Sequence, residues 1–253
     1  MNIQAKEDLI YQEIERIAKA NNDADELTRD GLLFRGKIEY SEGCWHRSSG
    51  DEEARWKNAK GRLLILTKDV NDEEAWDIRE ETGRMNGSDV LQYTKCISFY
   101  KRLRMFSYGI LNSTPDGFPP FREARDMNIS GPFYEEAPIA RMNLKKQVGG
   151  SSISNAVLRK YMETYKSPIM EQMKLYDANI ILCAGCYEDI IINFVKENCL
   201  QDLKVVDGTG DWIYHSPKSG KIVINSFHPS MFSISDEQFY TDLVSNYHIA
   251  IKK

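Results

Sequence analysis

Three short polar segments each follow an apolar run: Lys68-Asp69-Val70-Asn71-Asp72 after LLILT, Asn143 after PIARM, and His228-Pro229-Ser230-Met231-Phe232-Ser233 after IVINSF. A carboxylate, an amide and an imidazole gathered in one place serve a hydrolytic reaction. The carboxylate orients water or offsets a cation, the amide reads a planar ligand, and the imidazole stabilises developing negative charge. No single member is diagnostic. Asp69 serves equally as the cap of a helix over 72–79, Asn143 as the cap of a turn, and His228 as a core histidine with its hydrogen bonds met.

The elements that must position these residues are legible as patterns. LLILT after Arg62, PIARMN at 138–143, NIILCAG at 179–185 and KIVINSFHPS at 221–230 read as short strands buried on both faces. Between them, 91–111, 154–176 and 187–199 carry apolar residues at helical spacing. Strands alternating with helices predict a mostly parallel sheet with helices on both faces, in which ligands bind beyond the carboxyl ends of the strands. Ile3, Leu9, Ile10, Ile14 and Ile17 predict an N-terminal helix that the polar NNDAD ends. The aromatic-rich GLLFRGKIEYSEGCWHRSSGDEEARW shows no sustained period and reads as irregular structure followed by a short helix.

A chain of 253 residues with 42% hydrophobic content buries one sizeable core, so one domain over 1–253 is expected, with 1–60 an N-terminal helical and irregular extension. The opening lacks the basic and apolar regions of a signal peptide, and no stretch is apolar enough for a membrane helix, which predicts a cytoplasmic protein with no membrane partner. The cysteines, Cys44, Cys96, Cys183, Cys186 and Cys199, are five and scattered, and free thiols are expected. Cys183 and Cys186 form a C-x-x-C without the rest of a tetrahedral ligand set, which favours core packing. The net charge of −5 disfavours uniform attraction to nucleic acid. Basic residues do cluster, in Lys95, Lys101, Arg102 and Arg104 and in Arg141, Lys145 and Lys146, while acidic ones crowd 7–30, 72–81 and 135–136. A surface polarised in this way retains a nucleic-acid partner.

The order of the segments resembles the uracil-DNA glycosylase superfamily over residues 61–250. HPSMFS is similar to that superfamily's HPSPLS-type loop, TKDVND to its G-Q-D-P-Y-H segment, and MNLKK to the strand end whose Asn binds the base. The resemblance implies an α/β fold, a three-layer α/β/α sandwich with a mostly parallel central sheet, and a DNA glycosylase that hydrolyses the N-glycosidic bond of a flipped-out base in single- or double-stranded DNA. Asp69 would position water and stabilise the oxocarbenium-like sugar. A neutral His228 would donate to a base carbonyl, and Asn143 would fix the base through its donor–acceptor pair. Ser230 would contact a phosphate and Phe232 would be the wedge that fills the gap left by the flipped nucleotide. Lys145 and Lys146 would meet the DNA backbone, and one aromatic residue would stack on the base. Some members hold an iron–sulfur cluster, but Cys44, Cys183, Cys186 and Cys199 do not match that subgroup's pattern, and no metal or other cofactor is expected.

The departures bear on specificity. Thr67-Lys68 stands where the family has Gly-Gln, and Val70-Asn71 where it has Pro-Tyr, so Asn71 replaces the tyrosine that blocks 5-substituted pyrimidines. That points to a larger or modified base, as in bacterial relatives that excise hypermodified bases from viral DNA as a defence. Two other functions stay open: an N-glycosidase acting on nucleosides or nucleotides, which the acidic charge favours, and a non-catalytic nucleic-acid-binding module on the same fold.

Overall fold

The computed structural model describes residues 2–23, 26–33, 36–48, 50–69, 73–80, 97–150, 152–185 and 189–252. In chain order, α1 (Ile3–Ala20) leads to strand β1 (Gly31–Leu32), the hairpin of β2 (Lys37–Ser41) and β3 (Cys44–Ser48), and α2 (Glu52–Asn58). Strand β4 (Leu63–Thr67) is followed by α3 (Ser98–Leu111), α4 (Phe121–Arg125), α5 (Met127–Glu136) and β5 (Ile139–Asn143). Helices α6 (Asn155–Thr164) and α7 (Lys166–Tyr176) precede β6 (Ile180–Ala184). Then come α8 (Ile190–Asn198), β7 (Lys204–Val205), β8 (Ile213–His215), β9 (Ile222–Ser226) and α9 (Asp236–Ile251).

The four apolar runs form the centre of a seven-stranded sheet of order β1-β5-β4-β6-β9-β8-β7. Strands β5, β4, β6 and β9 pair in parallel, and the short β1, β8 and β7 pair antiparallel at the flanks. Side chains of a strand alternate between faces, and both faces are apolar here. Leu64, Leu66, Met142, Ile181 and Val223 pack with α1, α6, α7 and α8. Leu63, Ile65, Ile139, Leu182 and Ile224 pack with α3 and α9. Helices thus cover both faces of the sheet, and each fully buried Leu or Ile contributes roughly 1.5–3 kcal/mol relative to exposure. No described helix is long and apolar enough to cross a membrane.

The parallel connections run from β4 to one neighbour, β5, and then across to the other, β6. The chain therefore reverses its direction of winding between β4 and β6, and the carboxyl ends of these strands are where sheets of this topology form a ligand crevice.

Two sequence expectations are corrected. The segment read as irregular before α2 contains β1 and the β2–β3 hairpin, whose turn residues Glu42 and Gly43 have φ of 52° and 80°. Two residues at positive φ make the tight turn whose twist suits a hairpin, and Gly43 is the signal for it. The pattern at 154–176 divides into α6 and α7 at Tyr165, because Pro168 has no N–H to bond the Thr164 carbonyl and is accommodated only in a first helical turn. The helix expected over 91–111 is seen from Ser98 onward, and the start of that pattern lies outside the described residues.

Candidate active site

The carboxyl ends of β4, β5, β6 and β9 bring the first and third polar segments to the crevice and Asn143 beside them. Thr67 and Asn143 are register partners at the ends of β4 and β5, and the pairing runs on through Leu144 N–H to Thr67 O at 2.9 Å and Lys145 N–H to Lys68 O at 2.8 Å. Gly185 follows β6 at φ 140°, a conformation that side chains other than hydrogen disfavour. A Cβ there would lie 3.5 Å from both His228 Cδ2 and Lys68 Cγ. Lys68, from the β4 end, and His228, from the β9 end, therefore flank the bare backbone of Gly185.

Asp69 is partly buried, and burial raises its carboxyl above the ordinary value against the pull of Lys145 and Lys68. It does not cap a helix over 72–79, since residues 73–77 are non-helical. The ammonium of Lys145 donates to the carbonyls of Gln147 and Val148 at 2.9 and 2.8 Å, which holds this cation in the loop beside Asp69.

His228 is half-buried. The backbone N–H of Ser230 donates to its Nδ1 at 3.2 Å. An Nδ1 that accepts leaves the proton of the neutral ring on Nε2, which is then a donor. Burial, reinforced by Lys68 and Arg141, pushes the imidazole down from 6.5 to about 4, so the ring is neutral at ordinary pH. Its flat side meets Phe99 of α3, with ring centroids 5.4 Å apart and planes 30° apart.

Asn143 is fully buried. Its backbone N–H donates to Asp30 Oδ2 at 2.7 Å, and the Thr67 hydroxyl donates to its Oδ1. Its Nδ2 is buried with no partner among the described residues. A buried, unpaired amide N–H is unfavourable by about 1–3 kcal/mol, and a ligand acceptor would relieve it once the groups covering Asn143 give way. Of the donor–acceptor pair expected from the sequence, Oδ1 already accepts once, from Thr67, which leaves its second lone pair.

The HPS loop is held from below by an arginine. Arg102 donates to the carbonyls of Pro229 at 3.0 Å, Ile234 at 2.8 Å and Met231, and to Asp236 Oδ1 at 2.7 Å. Ser230 is exposed, and Phe232 is 98% exposed, an unusual position for a large aromatic ring. Asn71 lies outside the described residues, as do Lys95, Cys96 and Cys186.

The basic clusters are largely corrected. Lys146 is not a phosphate contact. It is fully buried with its ammonium 2.6 Å from Asp30 Oδ1, because the loop after β5 turns back into the polar core under α1. Arg102, Arg104 and Arg141 are also buried, and Lys101 pairs with Asp236 at 2.6 Å.

Several neighbours of the site escaped the sequence reading. Arg102 shares the apolar face of α3 with Leu103 and Phe106, and its three-to-four spacing was the signal. Arg141 interrupts the otherwise apolar β5. Asp30 lay in an acidic stretch assigned to the surface, but it is buried with Glu7. Glu7 accepts from Arg79, Tyr176 and the Leu32 N–H at 2.7, 2.6 and 2.9 Å. Of the cysteines, Cys183 is buried within β6, and Cys44 and Cys199 are free thiols on other elements. Among the described residues no group of three or more His, Cys, Asp or Glu is placed to hold a metal ion.

No protein-family model matches this chain, and no curated protein matches it in sequence.

Proposed function

We propose that this protein is a DNA glycosylase with a uracil-DNA glycosylase-like three-layer fold, hydrolysing the N-glycosidic bond of a flipped-out base. The observation that carries the reading is the state of His228: neutral, with Nδ1 occupied by the Ser230 N–H and Nε2–H left to donate. A departing base takes the bonding electron pair and becomes anionic, and a neutral N–H donor at its carbonyl stabilises that charge. Asp69 as carboxylate stabilises the cationic sugar and aligns the water that attacks its anomeric carbon. That water gives its proton to the carboxylate, and the base leaves as the anion. Asn143 Nδ2 donates to an acceptor on the base, and Phe99 supplies an aromatic ring against His228. Ser230 and Phe232 face the strand, Phe232 as the wedge.

With Asn71 in place of a tyrosine, the substrate is a modified or damaged base in preference to plain uracil, and excision of modified viral bases is the biological role this favours. The test is incubation with oligonucleotides carrying uracil, mismatched, oxidised and hypermodified bases, followed by alkaline cleavage at abasic sites. Release from one of them supports the reading, and intact strands throughout overturn it. One observation favours a second reading, an N-glycosidase acting on nucleosides or nucleotides. Arg102, Arg104, Arg141 and Lys146 are bound inside the fold, which thins the basic surface available to a duplex. Free base released from monomers would mark that outcome.

A further inference from the structure

Arg141 is the one charged residue of β5, a strand whose five residues are all buried. Its guanidinium lies over the rings of Phe99 and Tyr100, 5.0 and 5.4 Å from their centroids, and donates to the Tyr100 hydroxyl at 3.1 Å. Its Nε is buried with no partner, and among the described residues no carboxylate lies within 4 Å of it. Arginine does not escape such a position by losing its proton. A buried cation whose one attracting carboxylate, Asp30, is beyond ion-pair distance and already bonded to Lys146 is poorly compensated compared with an apolar residue of similar volume, so packing alone does not account for arginine at this place.

The same Phe99 ring that receives Arg141 also rests against His228. We propose that Arg141 is a positioning residue of this site: lying behind Phe99, its buried charge opposes protonation of His228, whose tautomer the Ser230 N–H sets, and favours negative charge on the group that accepts a hydrogen bond from Nε2–H. The proposal rests on the glycosylase reading for its second half only. The charges acting on His228 are Lys68 beyond β4 and Arg141 on β5; from α3 the uncharged Phe99 meets its ring, and the Arg102 guanidinium is held on the Pro229 carbonyl and Asp236. Those acting on Arg141 are Tyr100, Tyr134 and Asp30. A cation near an imidazole opposes its protonation. Burial is the largest cause of the lowered value, Lys68 adds to it from the β4 end, and Arg141 adds the smallest share from within the protein.

The test is a histidine titration by NMR on the full chain, which has four histidines, with the His228 signal assigned by its loss in His228→Gln. In the wild type His228 stays neutral to about pH 4. In Arg141→Met its midpoint should rise by up to about half a pH unit, since burial and Lys68 contribute more to the lowering, thermal stability should be kept or increased, and Arg141→Lys should titrate like the wild type. Where a substrate is found, kcat should fall at least ~10-fold in Arg141→Met with KM little changed, and Arg141→Lys should recover part of it. An unmoved His228 midpoint in Arg141→Met overturns the proposal, and so does an Arg141→Met chain that no longer folds, since arginine is then structural. The titration needs no substrate. Absence of base release with a shifted midpoint defeats the glycosylase reading alone, and base release with an unshifted midpoint defeats the role of Arg141 alone.

Discussion

The carboxylate of Asp30 accepts the backbone N–H of Asn143 through Oδ2 at 2.7 Å, and both residues are completely buried. Its other oxygen takes the Lys146 ammonium at 2.6 Å, the Tyr11 hydroxyl at 3.0 Å and the Gln172 amide at 3.2 Å. The N-terminal region, with no counterpart in the sequence resemblance, thus reaches under the sheet and fixes the strand end that carries the candidate base-reading amide. Removing one member of a buried, hydrogen-bonded ion pair strands the other, typically a loss of about 3–5 kcal/mol. Asp30→Ala and Lys146→Ala should each lower unfolding free energy by that order in urea, with the double variant less than additive.

Asp69 lies at a strand end with no structural hydrogen bond among the described residues, so Asp69→Asn should leave the urea midpoint within error and reduce base release at least ~100-fold. Asn143→Ala should lose activity to a similar degree and about 1–2 kcal/mol of stability as well, because it empties a buried site and leaves the Thr67 hydroxyl only its longer bond to the Met142 carbonyl. Full activity in both variants would dismiss this site.

His228 makes stability depend on pH in a definite direction. Its value falls from 6.5 in the unfolded chain to about 4 in the fold, so between those values the unfolded chain binds a proton that the folded one does not. The stability that His228 contributes is intact above about pH 7 and is lost as pH falls toward 4, by at most about 3 kcal/mol. Urea midpoints of wild type and His228→Gln from pH 7 to 4.5 should converge as the pH drops. Base release should meanwhile decline on the acid side as Asp69, raised above the usual carboxylate value by burial, takes up a proton. Parallel stability curves would contradict a neutral His228.

Arg102 ties α3 to the carbonyls of Pro229, Met231 and Ile234. Arg102→Met should unlock this loop, with increased proteolysis near 229–235 and a fall in base release, and the His228 midpoint should rise as the loosened loop exposes the ring, because burial is the largest cause of its low value. A loop as resistant to protease as in the wild type would show that the clamp is redundant.

The sheet was legible because LLILT, PIARMN, NIILCAG and KIVINSF are short apolar runs, and burial on both faces demands that pattern. The strand ends followed directly, and with them Asp69, Asn143 and His228. What the sequence hid was the destination of charge. Lys146 and Arg141 were counted as surface cations because Lys and Arg are seldom buried, and Asp30 as a surface acid for the same reason. Only three-dimensional pairing shows that Asp30 and Lys146 neutralise one another and that Arg141 lies against Phe99 and Tyr100. The hairpin β2–β3 was missed because its alternation is brief: Ile38 and Tyr40 alternate with polar residues only from Lys37 to Ser41, and Ile38 alone of β2 is buried.

Phe232 separates the DNA reading from the nucleoside reading. Its ring is 98% exposed, so it contributes almost nothing to the folded core, and Phe232→Ala should leave the melting temperature unchanged. On a duplex, an apolar ring that enters the stack offsets the few kcal/mol needed to unstack and flip a base. Loss of that ring should lower base release from double-stranded DNA by about 10-fold or more, an effect of roughly 1.4 kcal/mol. In single-stranded DNA the target is already unstacked, and for a free nucleoside there is no gap to fill, so the same variant should differ little from wild type on either. Single-turnover release from matched duplex, single-stranded and monomeric substrates, with wild type and Phe232→Ala side by side, measures the difference. An equal loss on all three would make Phe232 a general loop residue, and no loss on duplex would remove the wedge from the mechanism.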